Sequence, residues 1–120
     1  MSITNTIVSR AFIIALVALM LSACGSNKKQ IPISVLSDPL GAYAMIKVEY
    51  KEKDQSDWIF LGPTPVKLNR SINFKKATRV SIKVVKEGFF EQVKTWPAKE
   101  FLKEYKDRNK VLWLPSLVQN

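Results

Sequence analysis

The hydrophobic and polar positions divide the chain into a short, uniformly apolar segment and a longer segment in which the two kinds of residue alternate. Residues 11–21 carry no polar side chain, whereas from Ile31 onwards apolar residues recur at every second position over short stretches. A period of two is typical of a β-strand that buries one face. The pattern therefore predicts a β-rich domain spanning residues 31–120.

Five to seven short strands are predicted, with turn residues between them. The clearest is the strand at residues 79–86, where Val80, Ile82 and Val84 share one face. Glycine and proline residues interrupt the alternation at short intervals, which is typical of a small β-sandwich or half-barrel. We expect strands at residues 31–35, 44–51, 58–61, 66–68, 79–86, 90–96 and 110–115. The predicted fold class is mainly β, a small antiparallel β-sandwich with one short C-terminal helix.

The predicted helix lies between the last two strands. Pro97 suits a first helical position, and Phe101 and Tyr105 lie four residues apart, which places them on one helix face. The charged residues 51–57 predict a solvated hairpin loop. The last five residues, 116–120, are expected to fray.

Composition adds positive charge and removes several kinds of chemistry. The chain has 120 residues, enough for one ordinary domain. Eighteen of the 19 Lys and Arg residues and all ten Asp and Glu residues follow residue 23, so this part carries a formal charge of +8. The single cysteine, Cys24, excludes a disulfide within the chain. The absence of histidine removes the usual general base and the commonest metal ligand.

The apolar segment has the features of a secretion signal. Arg10 gives the first residues positive charge, and the eleven apolar residues that follow are too few to span a bilayer, which takes about 20. Leu21, Ser22, Ala23 and Cys24 come next and resemble the lipobox of bacterial lipoproteins. This resemblance implies cleavage between Ala23 and Cys24 and covalent lipid on Cys24. An ordinary signal peptide followed by a chance cysteine is the alternative.

The resemblance to lipoproteins also predicts the location and division of the chain. Residues 1–23 are expected to be removed, residues 24–30 to form a short lipidated tether, and residues 31–120 to form the domain. Two or three acyl chains on Cys24 would hold the protein in a membrane. Gly25 rather than Asp follows the cysteine, which implies the outer membrane if the cell is Gram-negative. The predicted location is the cell envelope.

Three turn motifs follow one another along the predicted domain. They are SDP followed by GA within residues 37–42, GPTP at residues 62–65 and KEGF at residues 86–89. Together they resemble the PEGA domain, a family named for a Pro-Glu-Gly-Ala run, although Leu40 replaces the Glu and Phe89 stands where tyrosine is usual. The resemblance covers about two thirds of the mature chain. It implies an extracytoplasmic β-sandwich of envelope proteins, with turn residues that specify backbone geometry and carry no chemistry.

No combination of residues predicts catalysis or metal binding. Asp54 and Asp57 lie in a lysine-rich loop that would keep both carboxylates solvated. Glu100, Glu104 and Asp107 stand among lysines at helical spacing, a pattern typical of a solvated helix face. We therefore expect a protein that is not an enzyme, with no catalytic residues, no metal and no cofactor besides the covalent lipid.

Aromatic residues are the first candidates for ligand contact, because an exposed ring can stack on a sugar or on a partner side chain. Four of them lie at turns or strand ends, where exposure of at least one is expected: Tyr43, Phe89, Phe90 and Trp96. Three others alternate within predicted strands and are expected in the core: Trp58, Phe60 and Trp113. Core packing is the competing interpretation for the first four as well, since a small sandwich needs large buried side chains.

A run of basic residues without an intervening acid, between Lys67 and Lys86, is the second candidate. The proposed anion-binding residues in it are Lys67, Arg70, Lys75, Lys76 and Arg79. Such a cluster suits lipid headgroups, lipopolysaccharide phosphates or acidic wall polymers, and a solubility face is the alternative. Nucleic acid is not an expected partner because of the predicted compartment.

These features predict a lipid-anchored envelope lipoprotein that is a non-catalytic binding or structural module, an accessory of a larger envelope assembly with a protein partner. Its membrane contact is the lipid on Cys24, and its exposed sheet edges could accept a partner strand. The alternative function is binding of a glycan or anionic polymer, such as peptidoglycan or lipopolysaccharide, through exposed aromatics and the basic cluster.

Overall fold

The protein is a sandwich of two β-sheets with one helix packed against strands of both. The computed structural model describes residues 28–52 and 57–120, so the predicted signal peptide, Cys24 and the middle of the charged hairpin loop lie outside the described residues. The elements are β1 (Lys28–Val35), β2 (Tyr43–Tyr50), β3 (Ile59–Pro63), β4 (Val66–Asn73), β5 (Ala77–Val85), β6 (Gln92–Pro97), α1 (Ala98–Arg108) and β7 (Val111–Trp113).

The strands form a three-stranded sheet in the order β4-β1-β7 and a four-stranded sheet in the order β3-β2-β5-β6. This arrangement confirms the predicted mainly β sandwich with one short helix. Every neighbouring pair is antiparallel except β1 and β7, which are parallel. The parallel pair is possible because α1 carries the chain from β6 across to the other sheet, so that β7 joins β1 in the same direction.

The core lies between the sheets and consists of alternate residues of the central strands. Its strand residues, each no more than 1% exposed, include Ile31, Ile33, Val35, Ala44, Ile46, Val80, Ile82 and Val84. Phe101 of α1 is fully buried, with its ring edge-on to Trp96 at 5.4 Å between centroids and stacked with Phe74 at 6.5 Å. The helix thus completes one side of the core.

Two strands extend beyond the bounds that hydrophobic alternation predicts. β1 begins at Lys28 rather than Ile31, and β4 continues through a polar stretch to Asn73. Lys28, Lys29 and Gln30 pair with residues 71–73 through the backbone. Backbone pairing does not depend on side-chain polarity, so residues 28–30, expected to belong to the tether, pair with the polar end of β4 and extend the ladder.

The C-terminal tail is hydrogen-bonded, so the expectation that it frays is wrong. The Leu117 amide donates to the Asp38 carbonyl at 2.8 Å, and the Val118 carbonyl accepts from the Phe90 amide at 2.8 Å. The Asn120 amide donates to the Gly88 carbonyl at 3.1 Å. The tail therefore runs from the three-stranded sheet to the β5–β6 turn of the four-stranded sheet, held by backbone bonds and by Leu117, which packs against the core.

The sandwich has two ends of different character. We call the end where the described chain begins the proximal end; it contains Lys28, the β4–β5 turn at residues 74–76 and the start of α1. The opposite, distal end contains the turns at residues 36–42, 62–65 and 86–91 and the C-terminal tail.

Candidate functional site

At the distal end, the first two turn motifs bind each other. The Thr64 hydroxyl accepts hydrogen bonds from the Gly41 amide at 3.1 Å and the Ala42 amide at 3.0 Å. It also hydrogen-bonds the Ser37 hydroxyl, which in turn donates to the Pro39 carbonyl at 2.8 Å. Because these hydroxyl interactions all stay within the two turns, Ser37 and Thr64 fix backbone geometry.

The outward face of the four-stranded sheet carries large apolar side chains where a solvated face would carry polar ones. Across the sheet, Phe60 of β3 pairs with Met45 of β2, Met45 with Lys83 of β5, and Lys83 with Val93 of β6. In the neighbouring row, Tyr43 pairs with Val85. Both rows point away from the core, because the alternate residues of β2 and β5 are buried.

This surface is widely exposed. Tyr43 is 54% exposed, Phe60 59% and Val93 50%, and the Tyr43 and Phe60 rings lie 5.9 Å apart between centroids. We call it the outer aromatic face and define it by Tyr43, Met45, Trp58, Phe60, Val85 and Val93. A contiguous apolar patch on a small protein is typical of an interaction surface.

Trp58 contributes to the outer aromatic face from just before β3. The Lys47 Nζ lies 4.9 Å and the Lys83 Nζ 4.4 Å from its ring centroid. Since these lysines belong to β2 and β5, the half-buried indole reaches over two strands of the sheet. Cation–π contacts of this kind stabilise the arrangement by about 0.5–1 kcal/mol each at exposed sites. Two positive charges therefore lie within this surface, and the Lys47 Nζ also lies 3.9 Å from the Glu49 carboxylate.

The predicted aromatic contacts are not brought together. Tyr43 belongs to the outer aromatic face, Phe90 is 57% exposed at the distal end, and Phe89 is half-buried. Trp96, a possible contact in the sequence, has the core position of the competing interpretation: it is 3% exposed and its Nε1 donates to the Glu104 carboxylate at 3.1 Å. Sequence alternation placed Trp96 at a strand end but gave no sign that α1 folds back over it.

Phe60 is a functional candidate that the sequence placed in the core. The pairing of β2 with β3 shifts between Ala44 and Met45, so that Gly62 lies opposite Ala44 and Phe60 opposite Met45. Phe60 therefore shares the outward orientation of Met45, whereas Leu61 packs against the core. A bulge changes which residues face outward, and nothing in the alternation of β3 itself reveals it. Trp58 and Trp113, also expected in the core, are half-buried.

The predicted basic cluster is divided between different surfaces. β4, with exposed Lys67 and half-buried Arg70, belongs to one sheet, and β5, with Arg79, belongs to the other. The Arg79 Nε forms an ion pair with the Glu49 carboxylate, so the expectation that this run faces no acid is wrong at Arg79. Glu49 is distant in sequence but lies directly opposite Arg79 on β2. Lys75 and Lys76 remain together, exposed in the β4–β5 turn.

Lys75 instead belongs to a different basic site. With Lys51 and Lys99 it lines a groove of about 440 Å³ at the proximal end, whose apolar wall includes Phe74 and Leu102. We call this the lysine groove. Its three lysines come from the end of β2, the β4–β5 turn and the first turn of α1, so no local sequence signal could group them.

The described residues give no sign of metal chemistry or a membrane span. Within residues 28–52 and 57–120 no three Cys, Asp or Glu residues are grouped so as to hold a metal ion. Over the same residues, no helix has the length and apolar character needed to cross a membrane. No family model matches the chain, and no curated protein or solved structure matches it either.

Proposed function

We propose that the chain is a lipid-anchored protein of the cell envelope that acts as a non-catalytic docking module within a larger assembly. Lipid on Cys24 holds it to a membrane, and the outer aromatic face contacts a protein partner. The observation that carries the docking role is the joint exposure of Tyr43, Phe60 and Val93 on one sheet face.

The composition of the outer aromatic face supports a protein partner. Hot spots of protein interfaces are enriched in aromatic side chains that become fully desolvated on binding. Tyr43 and Phe60 already contact each other, so less side-chain entropy is lost when a partner covers them. The complementary surface would be apolar, with carboxylates placed to meet Lys47 and Lys83.

The experiment is photo-crosslinking in intact cells. A photo-reactive amino acid is introduced at Tyr43 or at Phe60, and at Ser71 as the matched control, because Ser71 is exposed on the other sheet. We expect one discrete protein adduct from the first two positions and none from Ser71. Equal adducts from all three positions, or no protein adduct from any, would contradict the docking role.

The anchor is tested separately by the mass of the mature chain. Lipid on Cys24 with residues 1–23 removed is the expected result. A purified chain that retains residues 1–23, or that carries no acyl groups, would contradict the anchor and leave the docking test unaffected.

Glycan binding is the second candidate function, and the exposed Tyr43–Phe60 ring pair favours it, because aromatic rings stack on sugar rings. The test is co-sedimentation of the purified protein with peptidoglycan sacculi. Retention that is lost in Tyr43→Ser and Phe60→Ser but kept in Phe90→Ser, an equally exposed aromatic elsewhere, would support this function over a protein partner.

A further inference from the structure

The proximal end of the sandwich concentrates positive charge. Six lysines lie there: Lys28, Lys29, Lys51, Lys75, Lys76 and Lys99. The described acidic residues of the same end are Glu49, Glu52, Asp57 and Glu100, and Glu49 is paired with Arg79. The lysines therefore outnumber the acidic residues at the proximal end.

Pairing along the chain brings these lysines to one end. Lys28 lies opposite Asn73 at the last position of the β1–β4 ladder, next to the β4–β5 turn. The Lys51 amide donates to the Lys76 carbonyl at 3.0 Å, which ties the end of β2 to the same turn. β6 ends opposite Arg79 at Pro97, directly before α1 and Lys99.

The lysine groove has the chemistry of a phospholipid headgroup site. Three of its lining residues are lysines, which supply positive charge for a phosphate, and its apolar wall, which includes Phe74 and Leu102, can contact the glycerol and the first methylenes beneath that phosphate. The volume of about 440 Å³ is within the usual range of small-molecule sites.

We propose that the lysine groove binds the headgroups of anionic phospholipids in the membrane that holds Cys24, so that the domain stands with its proximal end on the bilayer. This inference rests on the lipid anchor proposed above. Cys24 lies four residues before Lys28. Four residues span at most about 14 Å, so the anchor keeps the groove within reach of the headgroups.

The experiment measures orientation, because the acyl chains would bind the protein to any bilayer. The lipidated mature protein carries a dye on Glu87→Cys, an exposed distal position, and is placed in phosphatidylcholine vesicles with or without phosphatidylglycerol and with an acceptor dye on the lipid headgroups. β5 runs from the proximal end to the distal end, and its nine residues have eight intervals of about 3.3 Å. The two ends of the sandwich are therefore roughly 26 Å apart. We expect phosphatidylglycerol to lower energy transfer, because it moves the distal end away from the membrane.

Two triple variants separate the lysine groove from general charge. The first variant combines Lys51→Ser, Lys75→Ser and Lys99→Ser and should abolish the effect of phosphatidylglycerol. Each lysine near an anionic surface favours the bound orientation by about a factor of five, so the loss of three lysines should disfavour it about 100-fold. The control combines Lys103→Ser, Lys106→Ser and Lys110→Ser, exposed positions that remove the same charge, and it should retain the effect.

Energy transfer that does not respond to phosphatidylglycerol would overturn the proposal, as would equal losses in the two triple variants. The mass of the labelled chain is measured first, and a chain without lipid on Cys24 would overturn the anchor and this inference together. If the chain is lipidated but energy transfer does not respond to phosphatidylglycerol, only the proposal for the lysine groove is overturned. The crosslinking experiment on the outer aromatic face does not depend on either result.

Discussion

Thr64→Val preserves the shape of the side chain but should destabilise the protein strongly. Thr64 is 4% exposed, and its hydroxyl accepts from the Gly41 and Ala42 amides. The Gly41 amide also donates to the Thr64 carbonyl, so it keeps a partner in the variant. The Ala42 amide, in a fully buried residue, loses the partner described for it.

The magnitude follows from these contacts. A buried amide without a partner costs about 1–3 kcal/mol, and the lost bond to Ser37 adds about 1 kcal/mol, so the free energy of unfolding should fall by about 2–4 kcal/mol. For a domain of this size the thermal midpoint should fall by roughly 10–25 °C.

Urea unfolding of the purified mature protein, followed by tryptophan fluorescence, measures this loss, because Trp96 is buried. Thr64→Ser restores a hydroxyl and should recover most of the stability. Thr95→Val is the matched control, since Thr95 is exposed and hydrogen-bonds only Ser81 among the described side chains. A loss below about 1 kcal/mol in Thr64→Val, or one no larger than in Thr95→Val, would refute the argument that this hydroxyl holds the two turns together.

Three further predictions concern the core, a turn and a surface pair. Phe101→Ala should lower the free energy of unfolding by about 3–5 kcal/mol, measured by urea unfolding, because Phe101 is fully buried. Gly88→Ala should lower it by about 1–2 kcal/mol through backbone strain alone, since Gly88 has a φ of 85° and an added Cβ would meet no atom within 4 Å; equal stability would contradict this. A double-mutant cycle of Glu49→Gln and Arg79→Gln should give a coupling of about 0.5 kcal/mol that declines with salt, because the Arg79 side chain is 61% exposed.

The strands could be predicted from the sequence wherever one face is buried. Val80, Ile82 and Val84 alternate with outward residues, and β5 is the strand that the pattern describes best. The end of the β1–β4 ladder, where Lys28 pairs with Asn73, shows no hydrophobic alternation, because backbone bonds hold it at an exposed end of the sheet. The parallel pairing of β7 with β1 depends on where α1 directs the chain, which periodicity does not encode.

The candidate surfaces were less predictable, because they depend on contacts between distant segments. Tyr43 is a candidate for exposure in the sequence and is exposed, but its partner Phe60, expected in the core, faces outward because β3 has one extra residue where it pairs with β2. The basic residues between Lys67 and Lys86 form one run in the sequence, but the turn at residues 74–76 divides this run between two sheets. The lysine groove combines lysines up to 48 positions apart, from Lys51 to Lys99, which only the folded chain brings together.

The position of β1 has a consequence for how the protein reaches its folded state. β1 is the central strand of its sheet, and its two neighbours are β4 and β7, the last strand of the chain. Ribosomes make β1 before either neighbour, and β7 after β4. The Ile33 and Val35 backbone would stay unpaired on one side until β7 is made, because β7 pairs with these residues. A chain truncated before Val111 would leave one edge of its central strand open to aggregation.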